Sequence, residues 1–550
     1  MPPNAAKSSQ FLSSAAVDLR RLVWASPLLR DYCYDFERLT PFYSGAPTTP
    51  AAWREAIAAR QARPAQGGHL AKIIADQLKV REAPLASRDA AARLASPDTV
   101  AILTGQQAAV FGGPLFTLLK AITAIKLARQ LEADYQTRAV PVFWIDAEDH
   151  DLDEIRTCGV LDSELAFQRV SLEIEAGSGR PASAVVLEAS TRDALEELGK
   201  ILPQTEFSAE VLRTLSTAYS AGTRLVEAFA KWIETLLGGH GLVVFDASDP
   251  AAKELAKPIF ERELRTHGET TRLALEAGTE LVARGYHAQV TPGAGSVALF
   301  ELDDTRKPIR IKRDRLGVNT ASRTVDELLR QVEIRPESFS PNVLLRPIVQ
   351  DALFPTVAYV AGPSELAYLG QLQQIYASFD IPMPIMYPRA TVTVVDRSTI
   401  KFLNRYAVSF EELQAHGDAV LNRLLEAQLP SSVNEAVSAA EAAINEQLKT
   451  IEAEVPVIDP TLAGVVQTTR GRMERDLLSL KAKIIQAAKR RDETLSRQFR
   501  RVRAQTFPQG DPQERVVAGV YFLNRYGPEL VDRLLAEVPL ALGHHWLLTG

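Results

Sequence analysis

Apolar and polar positions follow two rhythms along this chain. Up to about residue 400, short apolar runs alternate with amphipathic stretches; from about 400 to 505, Ala, Leu, Glu, Lys, Arg and Gln recur at helical spacing. The first informative run is Val100-Ala101-Ile102-Leu103-Thr104, which ends at Gly105. A loop of small residues leads from there to Gly113. Pro114 then opens a helical pattern to about Ala133, with Leu115, Leu118, Leu119, Ile122, Ile125 and Leu127 near one face. Proline suits a first helical position, because its φ is fixed and it lacks an N–H. A second apolar run spans Ala139 to Ile145. Strand, glycine loop, helix and strand predict a βαβ unit, hence a parallel sheet. Leu242–Phe245, Thr356–Val360 and Pro384–Tyr387 predict further strands.

These strands place an α/β core over 96–395, interrupted by insertions at about 155–240 and 270–345. The first insertion is mostly helical in pattern. The second alternates like β-hairpins around Thr291-Pro292-Gly293-Ala294-Gly295 and Asp303-Asp304. Residues 1–95 read as helices broken by turns and packed on the core, with Thr48 or Thr49 capping a helix that begins near Ala51. Over 396–510, Ser431–Val455 and Thr461–Gln505 predict an antiparallel coiled coil turned at Pro456–Pro460. Val466, Met473, Leu477, Leu480, Ile484 and Ala487 give its heptad-like seam, which predicts self-association. The tail, 511–550, returns to strand and helix patterns and should dock on the core.

Composition narrows the function. At 550 residues the chain has room for three or four folded units. Its 62 Lys and Arg are outnumbered by 68 Asp and Glu, which argues against a nucleic-acid partner. Two cysteines, Cys33 and Cys158, make no disulfide framework and point to a reducing compartment. No apolar run approaches the roughly 20 residues of a membrane span. Met1 to about Ser26 has no apolar core followed by a cleavage site, so it reads as mature protein. The expected location is the cytoplasm.

Candidate chemistry gathers at strand ends. In doubly wound sheets, ligands sit beyond the carboxyl ends of the strands, near helix N-termini that favour anions. Thr104, Gly105, Gln106, Gln107 and Gly113 lie at such a place, without P-loop or dinucleotide glycine spacing. Gly105→Val should therefore crowd a ligand without disturbing the core. The second strand runs through Trp144 into Asp146-Ala147-Glu148-Asp149-His150-Asp151-Leu152-Asp153-Glu154. Such acids could hold an ammonium group or Mg²⁺, with His150 moving a proton. They could equally start a helix, since Asp151 and Glu154 have capping-box spacing. Glu148, Asp149 and His150 are the catalytic candidates. Gln350, Asp351, Glu365 and Tyr368 are polar positions within apolar surroundings, read either as site residues or as buried groups satisfying one another. Arg389 follows the last strand and suits a phosphate or a carboxylate. His544 and His545 are adjacent and, on a strand, would face opposite sides, so no shared metal is expected and no zinc motif is present.

Taken together, Thr104-Gly105-Gln106-Gln107, Gly113-Pro114-Leu115, Phe143-Trp144-Ile145 with Glu148-Asp149-His150-Asp151, and the block from Ser340 to Arg389 resemble the cysteine-adding enzymes of bacillithiol biosynthesis. The resemblance extends through the coil to Gln513-Glu514-Arg515. It implies a Rossmann-like core with connecting-peptide insertions, similar to class I aminoacyl-tRNA synthetases, and a dimerising coiled coil. It also implies a ligase that joins cysteine through its carboxyl group to the amine of glucosaminyl-malate, with ATP activating the cysteine. The chain departs from the synthetases in two places. The Gly105 loop lacks their two histidines, and no lysine-rich loop follows Met386-Tyr387-Pro388-Arg389. Two other readings stay open: a nucleotide-binding scaffold whose coil recruits a partner, or a synthetase-like enzyme activating another amino acid.

Overall fold

Five short strands form the central sheet: β1 (Val100–Gln107), β2 (Ala139–Asp146), β3 (Val243–Asp246), β4 (Thr356–Ala361) and β5 (Ile385–Pro388). They are apolar almost throughout because both faces of a parallel sheet are covered. In this computed structural model all four pairings are parallel, and the strand order is β5-β4-β1-β2-β3. The chain winds outward from β1 through β2 and β3, then returns to the other side of β1 as β4. That reversal makes a switch point between β1 and β4, where a doubly wound sheet opens a crevice at its carboxyl edge. The structure describes residues 14–550 except 63–66, 176, 178, 294, 313–314, 319–320, 415–416 and 492. Residues 1–13 of the N-terminal stretch and Ala294 of the Thr291–Gly295 turn thus lie outside the described residues.

Helix α1 (Leu115–Tyr135) crosses from β1 to β2. Thr117, Lys120 and Thr123 are buried along with its apolar face. Tail helices Gly519–Tyr526 and Leu530–Glu537 pack over the helix, so it has no broad solvent face. Pro114 occupies the N-cap position rather than the first helical one, and Leu115 N donates to Val517 O at 2.9 Å. Helix α2 (Pro250–Arg265) follows β3, capped by Asp249, whose carboxylate accepts from Ala251 N. Helix α3 (Arg346–Leu353) precedes β4, and the short α4 (Glu365–Leu369) follows it.

The first insertion begins with an antiparallel pair, Thr157–Leu161 and Phe167–Ser171, before its helices Ser190–Ile201, Ser208–Ala218 and Leu225–Leu237. The second holds a five-stranded sheet, whose first hairpin turns at 303–305, with Asp303 accepting from Thr305 N at 2.9 Å. The Thr291 segment leads into its first strand, Ser296–Leu302, instead of turning a hairpin. Two expectations near the N-terminus change. Thr49 sits at the N-cap of Pro50–Gln61 but makes no side-chain cap bond. Ser14–Asp18 is a strand, paired antiparallel with His544–Thr549, which in turn neighbours Thr391–Val395. Its short polar and small residues carry little strand signal; the partner decides its conformation. His545 is buried on one side of that last strand and His544 is half-buried on the other.

The chain divides into two compact units, 1–394 with 511–550, and 395–510. The second contains α5 (Ser431–Glu454) and α6 (Leu462–Arg491), joined by a turn at Val455–Val457 and tied by Arg470 to Glu452. No side chain of α5 is fully buried. On α6, Val466 is buried, whereas Met473 and Leu480 from the heptad-like seam are exposed, as are Val465 and Leu478.

Candidate functional site

The carboxyl ends of β1, β2 and β4 converge on a cleft of about 290 Å³. Gly105, Gln106 and Gln107 come from β1, Trp144 and Asp146 from β2, and Tyr359 from β4. Arg389 follows β5, and the turn 362–364 delivers the chain into α4, which adds Glu365 and Tyr368. The cleft lies at the switch point that the strand order creates.

Two cations anchor its walls. Lys120 extends from α1 beneath the end of β1, where its Nζ donates to Gly105 O at 2.7 Å and to Gln106 Oε1 at 3.1 Å. It also pairs with Glu365 Oε2 at 2.6 Å. Burial draws the Lys120 pKa down from its usual value, and the Glu365 carboxylate opposes that shift. Glu365 further accepts from Gly362 N and from the Tyr359 hydroxyl, so it holds the turn at the mouth closed. Arg346, from α3, donates to the Tyr368 hydroxyl at 3.1 Å and to Gln350 Oε1 at 3.2 Å, and its Nε lies 3.9 Å from Asp146 Oδ2. Burial raises the Asp146 pKa, with Arg346 pulling the other way. Two further cations reach the rim. Arg389 pairs with Glu514 at 2.8 Å, while Arg515 donates to Ser364 Oγ at 2.7 Å.

The structure sorts the sequence-derived candidates into groups. Gly105, Gln106, Gln107, Trp144, Glu365, Tyr368 and Arg389 line the cleft together. Thr104 does not; its hydroxyl donates to Val360 O at 3.0 Å and ties β1 to β4. Gly113 lies in the tight turn before α1 at φ +69, outside the cleft lining. The Val517 carbonyl takes the Leu115 amide at that helix start, where an anion was expected. Gln350 and Asp351 are buried behind Arg346; Gln350 donates to Asp351 at 3.0 Å and Tyr376 donates to Asp351 at 2.6 Å. They brace the wall instead of lining it.

The acidic run after β2 divides its duties. Glu148 forms a buried ion pair with Lys253 at 2.5 Å, off the main cleft. Asp149 and Glu154 both accept from Gln107 Nε2, at 2.7 and 2.9 Å, which fixes the end of β1. Asp151 caps the helix Leu152–Ile155 through Glu154 N at 3.4 Å. His150 is 43% exposed, with Nδ1 3.7 Å from Asp149, and does not line the cleft. Sequence reasoning did not single out Lys120, Asp146, Arg346 or Arg515. Lys120 carried a usable signal, a lone cation inside the apolar run Leu118-Leu119-Lys120-Ala121-Ile122. Among the described residues, no three His, Cys, Asp or Glu side chains are grouped to hold a metal ion, and no helix is long and apolar enough to cross a membrane.

Two family models match the chain. The N-terminal Rossmann-like domain of the bacillithiol biosynthesis protein BshC covers residues 13–390, and the C-terminal coiled-coil domain of BshC covers 392–549. The chain belongs to the BshC family. A relative from Salinibacter ruber, named "Putative cysteine ligase BshC", is 33% identical over 92% of this chain and 93% of its own length. Similarly named BshC relatives from Solibacter usitatus and Bacillus cytotoxicus are each 31% identical, over 94% and 81% of this chain and 96% and 83% of their own lengths. The BshC assignment accounts for the core and the coil alike.

Proposed function

We propose that the protein joins cysteine, through its carboxyl group, to the amine of glucosaminyl-malate, with ATP supplying the activation. The observation that carries this reading is the mixed charge of the cleft at the switch point. Arg346 and Arg515 offer cations to a carboxylate or phosphate, and Asp146 offers a carboxylate to an ammonium group, while Lys120 and Glu365 hold the floor and mouth in place. A carboxylate does not condense with an amine unaided, because oxide is a poor leaving group; a phosphoryl or adenylyl group on that oxygen removes the obstacle. The attacking amine must lose a proton, and Asp146, its pKa raised by burial, is the acceptor the geometry favours. At about 290 Å³ the cleft suits the reacting ends of the substrates. Mg²⁺ would enter with the nucleotide phosphates and need only one or two protein carboxylates; Glu154 at the rim is of that kind. The exposed apolar residues of α6 support pairing with a second copy of the chain.

The test is incubation of the purified protein with cysteine, glucosaminyl-malate and ATP. Bacillithiol detected by mass, with nucleotide turnover dependent on both other substrates, is the expected result. Nucleotide binding without turnover would favour the scaffold reading.

A further inference from the structure

Beside the cleft, between β2, α2 and α3, lies a smaller chamber of about 20 Å³. It shares three wall residues with the cleft: Trp144, Asp146 and Arg346. Its remaining walls are largely apolar, with Ala252 and Ala256 from α2 and Val349 and Leu353 from α3. The Glu148–Lys253 pair closes one side, its two charges already matched. Trp144 Nε1 is buried and has no hydrogen-bond partner among the described residues. A buried donor without an acceptor is costly, so such a group points to an acceptor supplied from outside the chain.

Arg346 and Trp144 match what surrounds the α-carbon of one amino acid. Arg346 suits its carboxylate and the indole N–H a weakly accepting side chain directed into the chamber, which leaves Asp146, on the cleft side, to the attacking amine. We propose that the chamber is the side-chain subsite for the amino-acid substrate and that it receives the cysteine thiol. This inference rests on the ligase reading above. Size supports it, because a space of about 20 Å³ accepts roughly one heavy atom beyond Cβ. Alanine leaves it empty, and valine or methionine overfills it. Polarity supports it too. Sulfur is a weak acceptor that tolerates apolar walls and packs well against an indole, whereas a hydroxyl loses more on leaving water. Cysteine is then selected by shape and softness, without a zinc–thiolate bond.

The experiment is calorimetric titration of the full chain with cysteine, alanine, serine and 2-aminobutyrate, alongside the bacillithiol assay. The parent should bind cysteine at least tenfold more tightly than alanine or serine. Ala256→Val fills the chamber and should bring the cysteine-to-alanine ratio close to one while alanine binding persists. Val349→Ala enlarges it and should improve 2-aminobutyrate relative to cysteine. Unchanged ratios in both folded variants would overturn the subsite, whether the chamber holds water or nothing. If the parent still makes bacillithiol in that case, the ligase reading stands alone. If the parent binds no amino acid and makes no product, both readings fail.

Discussion

Lys120 Nζ and Glu365 Oε2 stand 2.6 Å apart across the seam between β1 and β4. The pair joins the crossover helix to the turn after β4, and Lys120 also donates to the Gly105 carbonyl at the end of β1. The switch point is thus stapled by charge at the place where ligands are expected. Lys120→Met strands the Glu365 carboxylate and the Gly105 carbonyl. Because Glu365 is partly exposed, the expected destabilisation is about 2 kcal/mol, below the range for fully buried pairs. Denaturant midpoints measure it, and adding Glu365→Gln should recover part of the loss.

Asp146 and His150 make contrasting predictions. Asp146 faces the cleft and His150 does not line it. If Asp146 accepts the amine proton, Asp146→Asn should lower the rate by ~10²–10⁴, with the fold retained. His150→Asn should change it by less than about tenfold, short of what loss of a general base costs. Steady-state rates of bacillithiol formation decide between them, and the reverse ranking would make His150 the base.

Gly105 is constrained by its neighbour strand as well as by any ligand. A Cβ there would lie 2.9 Å from the Trp144 carbonyl oxygen. The expectation that Gly105→Val spares the core is therefore replaced: even Gly105→Ala should cost about 1–3 kcal/mol through overpacking. Urea unfolding of that variant gives the value directly.

Glu263 is buried, with no cationic partner among the described residues, and accepts from the Thr270 hydroxyl and from Ala298 N. Burial pushes its pKa up to about 7. The folded state then binds this proton more tightly than the unfolded state. Stability from this group is full below the ordinary glutamate range and is lost as pH rises through about 7. Glu263→Gln should remove that loss, gaining on the parent at pH ~8 relative to pH ~5. Thermal melts at both values test it; equal differences would show that Glu263 does not titrate with folding.

The coil hairpin should drive self-association. Val465, Met473, Leu478 and Leu480 are all exposed on α6, as apolar surface awaiting a partner helix would be. Light scattering at micromolar concentration should show a dimer for the full chain and a monomer once 431–491 is replaced by a short linker. A monomeric full chain would end this proposal.

The sheet was legible because a strand covered on both faces must be apolar almost throughout, as Val100–Leu103 and Val357–Val360 are. Cleft residues beside glycine turns, such as Gln106 and Glu365, were legible for the same local reason. Lys120 and Arg346 were not singled out, because only the winding of the chain brings a helix after β1 and a helix before β4 to one crevice. Glu148 looked catalytic because its partner, Lys253, lies far away in sequence. Ser14–Asp18 looked featureless because its pairing edge is the last strand.

That last pairing orders events during synthesis. Ser14–Asp18 waits for His544–Thr549, and the Arg515 side of the cleft appears only after the whole coil has left the ribosome. At translation rates of about 5–20 residues per second, the interval is on the order of a minute. A chain interrupted before Glu514 leaves Arg389 without its carboxylate and the cleft without one rim. Truncated products therefore emerge with an unfinished cleft and an unpaired strand edge open to other chains.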